Sequence, residues 1–409
     1  MSIFLKSERK DSKVILLLSI IYIFLSVGAL TMIYPLLLML SGSVKGKLDA
    51  YEFDVIPKFL VSDDVLYKRY TEQKYNEKVD EYQVANKEFI RIFKKVEPPS
   101  QINEIILDDW RNFQIKTDIP ASFFHVGNMY YLPGASNRIT TKNTRKFRNY
   151  IRDLCGNNSE KFRSMFKTQL PNWYFLDLTP ERLLDRNYKI PKTKFANVFY
   201  DFKKEIQFED RVYLSLDGKF SKYLKSLNHY NGSIESFNKK HNTLFKTFFD
   251  ISFSNSYPSD LFSEHWETFV RFELNPQFIF LNNQGKSLFN SYLSEKFVNI
   301  NSLNNEWGTS YLNFDEINVD NVTPYESKMS NNFISFIKDS DLCPVEVLSI
   351  KSAETLWRKF LQDKYGNIRN LNQESKSTYE AISKVPMPMK DMDFNFVSMN
   401  KNQLRWDYI

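Results

Sequence analysis

Two patterns of apolar and polar positions divide this chain, and the first is a solid block. From Val14 through Val44 no charged residue occurs, a run of 31 positions, and its dense part reads VILLLSIIYIFLSVGALTMIYPLLLML from Val14 to Leu40. That exceeds the ~20 apolar residues a helix needs to cross the hydrocarbon core of a bilayer. A lone span in lipid must pair its backbone groups within itself, so the block predicts a transmembrane helix over 14–40. Pro35 lies near its far end, where a kink or break costs least. The alternative is a cleaved signal peptide, with Ser41-Gly42-Ser43 imitating a small-residue cleavage site. The apolar stretch is well beyond the ~7–15 residues of an ordinary signal core.

The second pattern is a periodicity of three and four that recurs along the rest of the chain. Around Ile300, apolar residues stand at −11 (Phe289), −7 (Leu293), −3 (Phe297), +3 (Leu303), +7 (Trp307), +11 (Tyr311), +14 (Phe314) and +17 (Ile317). Around Ile368 the same offsets hold Trp357, Leu361, Tyr365, Leu371, Ser375, Tyr379, Ile382 and Val385. A copy on Ile234 has Tyr223, Leu227, Phe237, His241, Phe245, Phe248 and Ile251, with Tyr230 displaced by one position. Weaker copies centre on Val79 (Tyr75, Tyr82, Phe93, Val96) and on Ser159 (Phe162, Phe166, Leu170, Trp173, Leu176). The centres 79, 159, 234, 300 and 368 lie 80, 75, 66 and 68 residues apart.

Such steps are helical, and the break before each centre is readable too. Position −1 is Asn158, Ser233, Asn299 or Asn367, residues that cap a helix N-terminus, with Lys78 as the exception. At −2, Gly232 and Gly366 suit the left-handed closure of a preceding helix. Each copy therefore predicts a helix, a tight turn, a short second helix and an extended tail ending at Pro98, Pro180, Pro258, Pro324 or Pro386. A further short aromatic helix is expected at Trp110/Phe113, Phe199/Phe202, Trp266/Phe269 and Phe333/Phe336. The connectors 97–145 and 177–200, rich in Pro, Asn and Asp, read as loops or short strands. One copy cannot bury its own stripe, so copies must pack side by side. The expected fold class is mainly α: a cytoplasmic N-terminus (1–13), the transmembrane helix (14–40), and an extracytoplasmic domain (45–409) of tandem helix-turn-helix repeats with short strands or loops between them.

Composition narrows this further. Of 409 residues, 42% are apolar and 25% charged, a globular balance. The mean hydropathy of −0.44 excludes many spans over this length but leaves room for a single anchor. Fifty-five basic and 49 acidic residues give +6, a mixed surface rather than a nucleic-acid footprint. Lys6, Arg9, Lys10 and Lys13 precede the apolar block and only Lys45 and Lys47 follow it closely. That asymmetry places the N-terminus in the cytoplasm of a plasma (inner) membrane and the bulk of the chain outside, with Lys45 snorkelling at the interface.

Candidate chemistry is sparse. Cys155 and Cys343 could form one bridge or none. His125, His229, His241 and His265 show no metal spacing and read as unconnected. Glu306, in Asn305-Glu306-Trp307-Gly308, resembles a glycosidase acid/base by its preceding Asn, yet the other copies hold Ala85, Met165, Lys240 and Glu374 there. A solvated helix face is the better account. At +4, Asn238, Asn304 and Asn372, with Gln83 and Arg163 in the weaker copies, are read as amides tying the short helix to its tail. Trp307, Trp110, Trp173, Trp266 and Trp357 are read as core residues. Gly285-Lys286-Ser287 lacks the glycine of a phosphate loop. No catalytic, cofactor or metal residue is assigned.

Two resemblances add expectations. The run Tyr34-Pro35-Leu36-Leu37-Leu38-Met39-Leu40-Ser41-Gly42-Ser43-Val44-Lys45 resembles the end of the first membrane helix in maltose-type sugar ABC transporter permeases. The resemblance implies a carbohydrate permease subunit with a large extracytoplasmic insertion after its first span, here cut short within a unit at Leu404-Arg405-Trp406-Asp407-Tyr408-Ile409. Its partners would be membrane lipid, a second permease subunit, a cytoplasmic ATPase and an extracytoplasmic solute-binding protein. Phe297 through Tyr311, and Tyr365 through Leu371-Asn372, resemble scaffold segments of glycoside hydrolase family 42 β-galactosidases. That likeness implies carbohydrate context and transfers no catalytic residue. A single-pass repeat scaffold without transport, or an anchored glycosidase-like enzyme, are the alternative readings.

Overall fold

The computed structural model describes residues 12–46, 48–49, 51–127, 141–176, 181–319 and 327–408. It is mainly helical, with sixteen α-helices and four three-residue strands among the described residues. The chain forms two compact bodies. The first holds Met1–Tyr70, Val96–Pro98 and Phe396–Ile409, and the second holds Thr71–Lys95 and Pro99–Asn395.

The first helix, α1 (Ser12–Ser43), spans 32 residues and continues past Pro35 without a break. Its most apolar window has a hydropathy of 2.6 and is nowhere covered by protein. Ile20, Phe24, Leu30 and Met32 all stand exposed. An apolar surface of that length has no counterpart on a monomeric protein in water. This is one N-terminal helix long and apolar enough to span a membrane. Beyond it the expectation for Lys45 fails. The residue is buried, and its ammonium donates to the backbone carbonyls of Glu52 and, at 3.0 Å, Asp54. Three donors on one ammonium satisfy loop carbonyls better than a flexible stem reaching for water.

All five repeats are present, each with a first helix, a short second helix and a 3-10 turn in its tail. The first helices are α2 (Asp63–Lys74), α5 (Lys142–Leu154), α8 (Leu216–Ser226), α11 (Asn283–Lys296) and α14 (Ala353–Tyr365). The second are α3 (Val79–Asn86), α6 (Ser159–Phe166), α9 (Ile234–His241), α12 (Ile300–Trp307) and α15 (Ile368–Ser375), eight residues each. Asn158, Ser233, Asn299 and Asn367 cap them with side-chain oxygens, whereas Lys78 offers none. Gly232 and Gly366 take positive φ, +69° and +73°. The displaced Tyr230 has a structural reason. In its repeat α8 stops at Ser226 and a 3-10 turn (Asn228–Tyr230) follows, so the ring still reaches the core one position early.

The amide at +4 ties short helix to tail. Asn304 donates to Tyr311 O (2.8 Å) and accepts from Tyr311 N (3.0 Å) and the Thr309 hydroxyl (2.9 Å). Asn372 repeats this with Tyr379 and Ser377, and Asn238 with Phe245 and Thr243. Gln83 and Arg163 keep one bond of it, to Ile90 O (2.5 Å) and Pro171 O (3.1 Å). The backbone of the same residue does a second job. Each short helix ends on a left-handed residue, Lys87, Lys167, Asn242, Gly308 or Lys376, whose N–H returns to the +4 carbonyl. Glycine carries this turn in one repeat. Elsewhere the regained bond offsets a left-handed cost of ~1–2 kcal/mol.

A third helix follows four of the tails at once in chain order: α4 (Glu104–Lys116), α7 (Lys194–Glu205), α10 (Ser263–Thr268, continued by a π-turn over Phe269–Glu273) and α13 (Lys328–Lys338). The connectors 97–145 and 177–200 thus contain the aromatic helices expected at Trp110/Phe113 and Phe199/Phe202, as α4 and the start of α7, and 97–145 also holds a short strand at Phe124–Val126. Both helices carry an aromatic face that outweighs the loop-rich composition around it. The fifth tail leads into α16 (Met389–Asp407), kinked at Asn400. Strands β1 (Phe124–Val126) and β2 (Arg211–Tyr213) pair antiparallel, as do β3 (Ile279–Leu281) and β4 (Leu348–Ile350). Pro180 and Pro324 lie outside the described residues.

Within repeats two to four, first and third helices meet through aromatic rings: Phe147 on Phe199 and Phe202, Phe220 on Phe269, Phe289 on Phe333 and Phe336. The terminal repeats exchange partners. In the second body Trp357 of α14 stands edge-on to Trp110 of α4, centroids 5.2 Å apart. In the first body Tyr70 of α2 meets Phe396 of α16 at 5.6 Å. The third helix of the first repeat therefore completes the last repeat, and that of the last completes the first.

Candidate functional site

Among the tryptophans, Trp110, Trp173, Trp266 and Trp357 are buried as expected, but Trp307 is only half-buried, edge-on to Phe297 at 6.0 Å. Its helix α12 lies at the rim, where a short helix tied to its own tail cannot cover a whole indole. Glu306 is exposed on the same helix. Cys155 and Cys343 are both buried free thiols.

The polar residues the fold does bring together lie in the second body. A cavity of about 600 Å³ opens between the first turn of α3, the β1–β2 ribbon, the segment 181–185 and α8. Its lining is mixed in charge, and most charges are matched: Lys78 on Glu81 (2.8 Å), Lys222 on Asp80 (3.3 Å), Lys219 on Asp185 (3.9 Å). His125 of β1 reaches the cavity 3.6 Å from Glu81. Burial pushes the imidazole down to about 3, so it is neutral near pH 7 and the contact is no ion pair. Burial raises the Glu81 carboxyl, with Lys78 opposing. These groups suit hydrogen bonding to a polar molecule. The Ser215 hydroxyl on the wall is engaged on both sides, donating to Glu354 (2.7 Å) and accepting from Gly218 N (3.0 Å).

Two largely buried clusters adjoin the cavity, through Glu181 and Ser215 in its lining. Lys203 of α7 donates to Glu181 (2.9 and 3.0 Å) and to Phe124 O (2.7 Å), while the Tyr200 hydroxyl donates to Glu181 at 2.6 Å. Burial lowers the Lys203 pKa, with the Glu181 charge opposing. Glu354 of α14 accepts from Leu216 N and Asp217 N at the start of α8 (2.8 and 3.1 Å), where a carboxylate also suits the helix dipole. Asp217 in turn accepts from Arg358 (2.6 Å), Lys87 (3.2 Å) and Phe253 N (2.9 Å). Sequence periodicity passed over these groups, since connectors and helix first turns have no apolar period. One signal existed for Lys203, which stands four residues after Phe199 on the apolar face of α7.

The histidines are not unconnected, contrary to the expectation. The buried Tyr230 hydroxyl lies 2.6 Å from His241 Nε2 and 2.7 Å from His265 Nε2, and the His229 ring stacks 6.1 Å from that of His265. The 3-10 turn at Asn228–Tyr230 creates this meeting, which chain spacing does not encode. The single hydroxyl proton serves only one of the two rings, so at least one imidazole carries its proton on Nε2. Among the described residues no group of three or more His, Cys, Asp and Glu side chains is arranged to hold a metal ion.

Burial, then the neighbouring His241, depresses His265 to about 4 from 6.5, and this has a measurable consequence. Between those values the unfolded chain binds a proton that the folded chain refuses, so stability falls as pH drops from 6.5 toward 4. His265→Gln should flatten that part of the profile of thermal midpoint against pH. Parallel profiles for the two proteins would refute the assignment.

Compared with known families, curated proteins and solved structures, the chain shows no match in any of the three.

Proposed function

We propose that this chain is the anchor and extracytoplasmic insertion of a carbohydrate ABC transporter permease. The repeat domain would stand behind the first membrane helix and receive a solute-binding protein or glycan at the entrance, while a separate ATPase drives transport. One observation carries this reading. In the body that holds the apolar helix, the end of α16 packs on the residues that follow that helix. Tyr408 stands edge-on to Phe59 at 6.0 Å, and Arg405 and Lys401 both pair with Asp63, the latter at 3.0 Å. The repeat chain thus returns through α16 to the segment that leaves the apolar helix, as a domain seated at the exit of a span would.

Reporters fused after residues 5 and 60 should lie on opposite sides of the membrane, with residue 60 outside. The tagged protein in its native membrane should co-purify with a nucleotide-binding subunit, and the purified complex should take up carbohydrate only with ATP. Reporters on the same side, or uptake indifferent to ATP, would overturn the proposal. A single-pass scaffold without transport is the second reading. It requires only the one apolar helix and the five packed repeats.

A further inference from the structure

The residues just beyond the apolar helix invert the normal partition of side chains. Tyr51, Phe53, Ile56 and Val61 are 91%, 83%, 60% and 69% exposed. The carboxylates alternating with them, Glu52 and Asp54, are more covered than these apolar neighbours, and each is paired. Lys58 pairs with Glu52 (3.1 Å) and Asp54 (3.4 Å), and buried Arg69 with buried Asp49 (3.6 Å). A loop folded for water would do the reverse.

The same segment is fastened to the last turn of α1. Ser41 Oγ, inside that helix, donates to Asp54 O at 2.6 Å, and Lys45 Nζ holds the carbonyls of Glu52 and Asp54. Phe53 lies between these two tethered carbonyls. These bonds hold the backbone around Phe53 beside the last turn of α1, and Leu36, Met39 and Leu40 near that end of the helix are exposed as Phe53 is. We propose that Tyr51, Phe53 and Ile56 form a collar that inserts into the headgroup boundary of the bilayer and fixes the depth of the anchor. This rests on the reading of α1 as a membrane span. Three features favour lipid over a protein partner: the tether to the end of the span, charges matched inside the loop, and a tyrosine whose apolar body and polar tip suit that boundary.

The test uses the full chain in vesicles of phosphatidylcholine and phosphatidylglycerol, with nitroxide labels on Phe53→Cys, Gly28→Cys or Glu295→Cys in separate proteins. The native thiols are buried and do not compete. Oxygen and a nickel chelate report lipid and water. The Gly28 label should read as hydrocarbon, the Glu295 label as water, and the Phe53 label between them. A Phe53 label as aqueous as that at Glu295, with Gly28 still in hydrocarbon, overturns the collar alone. A Phe53 label shielded from both reagents means a protein contact and also overturns it. An aqueous Gly28 label removes the span and the collar together. Tyr51→Cys serves as a second collar position should Phe53→Cys misfold.

Discussion

Lys203→Met is expected to lower unfolding free energy by about 3–5 kcal/mol, because it strands a buried carboxylate. Glu181 loses both bonds from the ammonium, and Phe124 O loses its donor. The ammonium also lies 4.6 Å from the Tyr200 ring centroid and 5.1 Å from that of Phe124, contacts that a thioether replaces only in part. Denaturant titration of the full chain in detergent measures the loss. Adding Glu181→Gln should recover more than half of it, since the uncompensated charge is gone while Tyr200 keeps an acceptor. A single variant within ~1 kcal/mol of the parent, the range of an ordinary surface change, would show that the pair is not buried as described.

Trp357→Ala should cost about 3–5 kcal/mol, the range for deleting a large core ring. The indole is fully buried between Trp110, Phe113 and Phe360, and its Nε1 donates to Pro386 O at 3.1 Å. Trp357→Phe keeps most of the volume and should cost about 1–2 kcal/mol, for the lost hydrogen bond and ring edge. Trp110→Phe alone should cost a similar amount, and combining the two should cost less than their sum because they share one contact. Strict additivity would mean that α4 does not seat on α14. The same denaturant titration decides this.

Local features were the most legible. The apolar block announces α1 because nothing else in the chain competes for that surface. The offsets shared by the five centres place ten helices, since a buried stripe constrains every third or fourth residue. The asparagines at +4 are readable because a short amide on a one-turn spacing has few places to bond. Local reasoning failed where partners come from afar. Lys45 looks like an interfacial lysine until the carbonyls of Glu52 and Asp54 turn toward it. His241 and His265 look isolated until a 3-10 turn delivers Tyr230 between them. Glu181 and Glu354 carry no pattern at all, because a single buried carboxylate leaves no period.

By itself, then, the sequence determined the helix pairs of the five repeats, how they recur and the capping residue of four of the five short helices, but not α16. Those properties are set by dihedral preference and by side chains within about ten residues of one another. Only the tertiary structure decided which third helix serves which repeat. Trp110 could as readily have packed on its own repeat as on Trp357, for both first helices present an aromatic face. The choice is made by long-range burial, which brings the last turns of α16 back beside Phe59 and Asp63, and no periodicity along the chain records it.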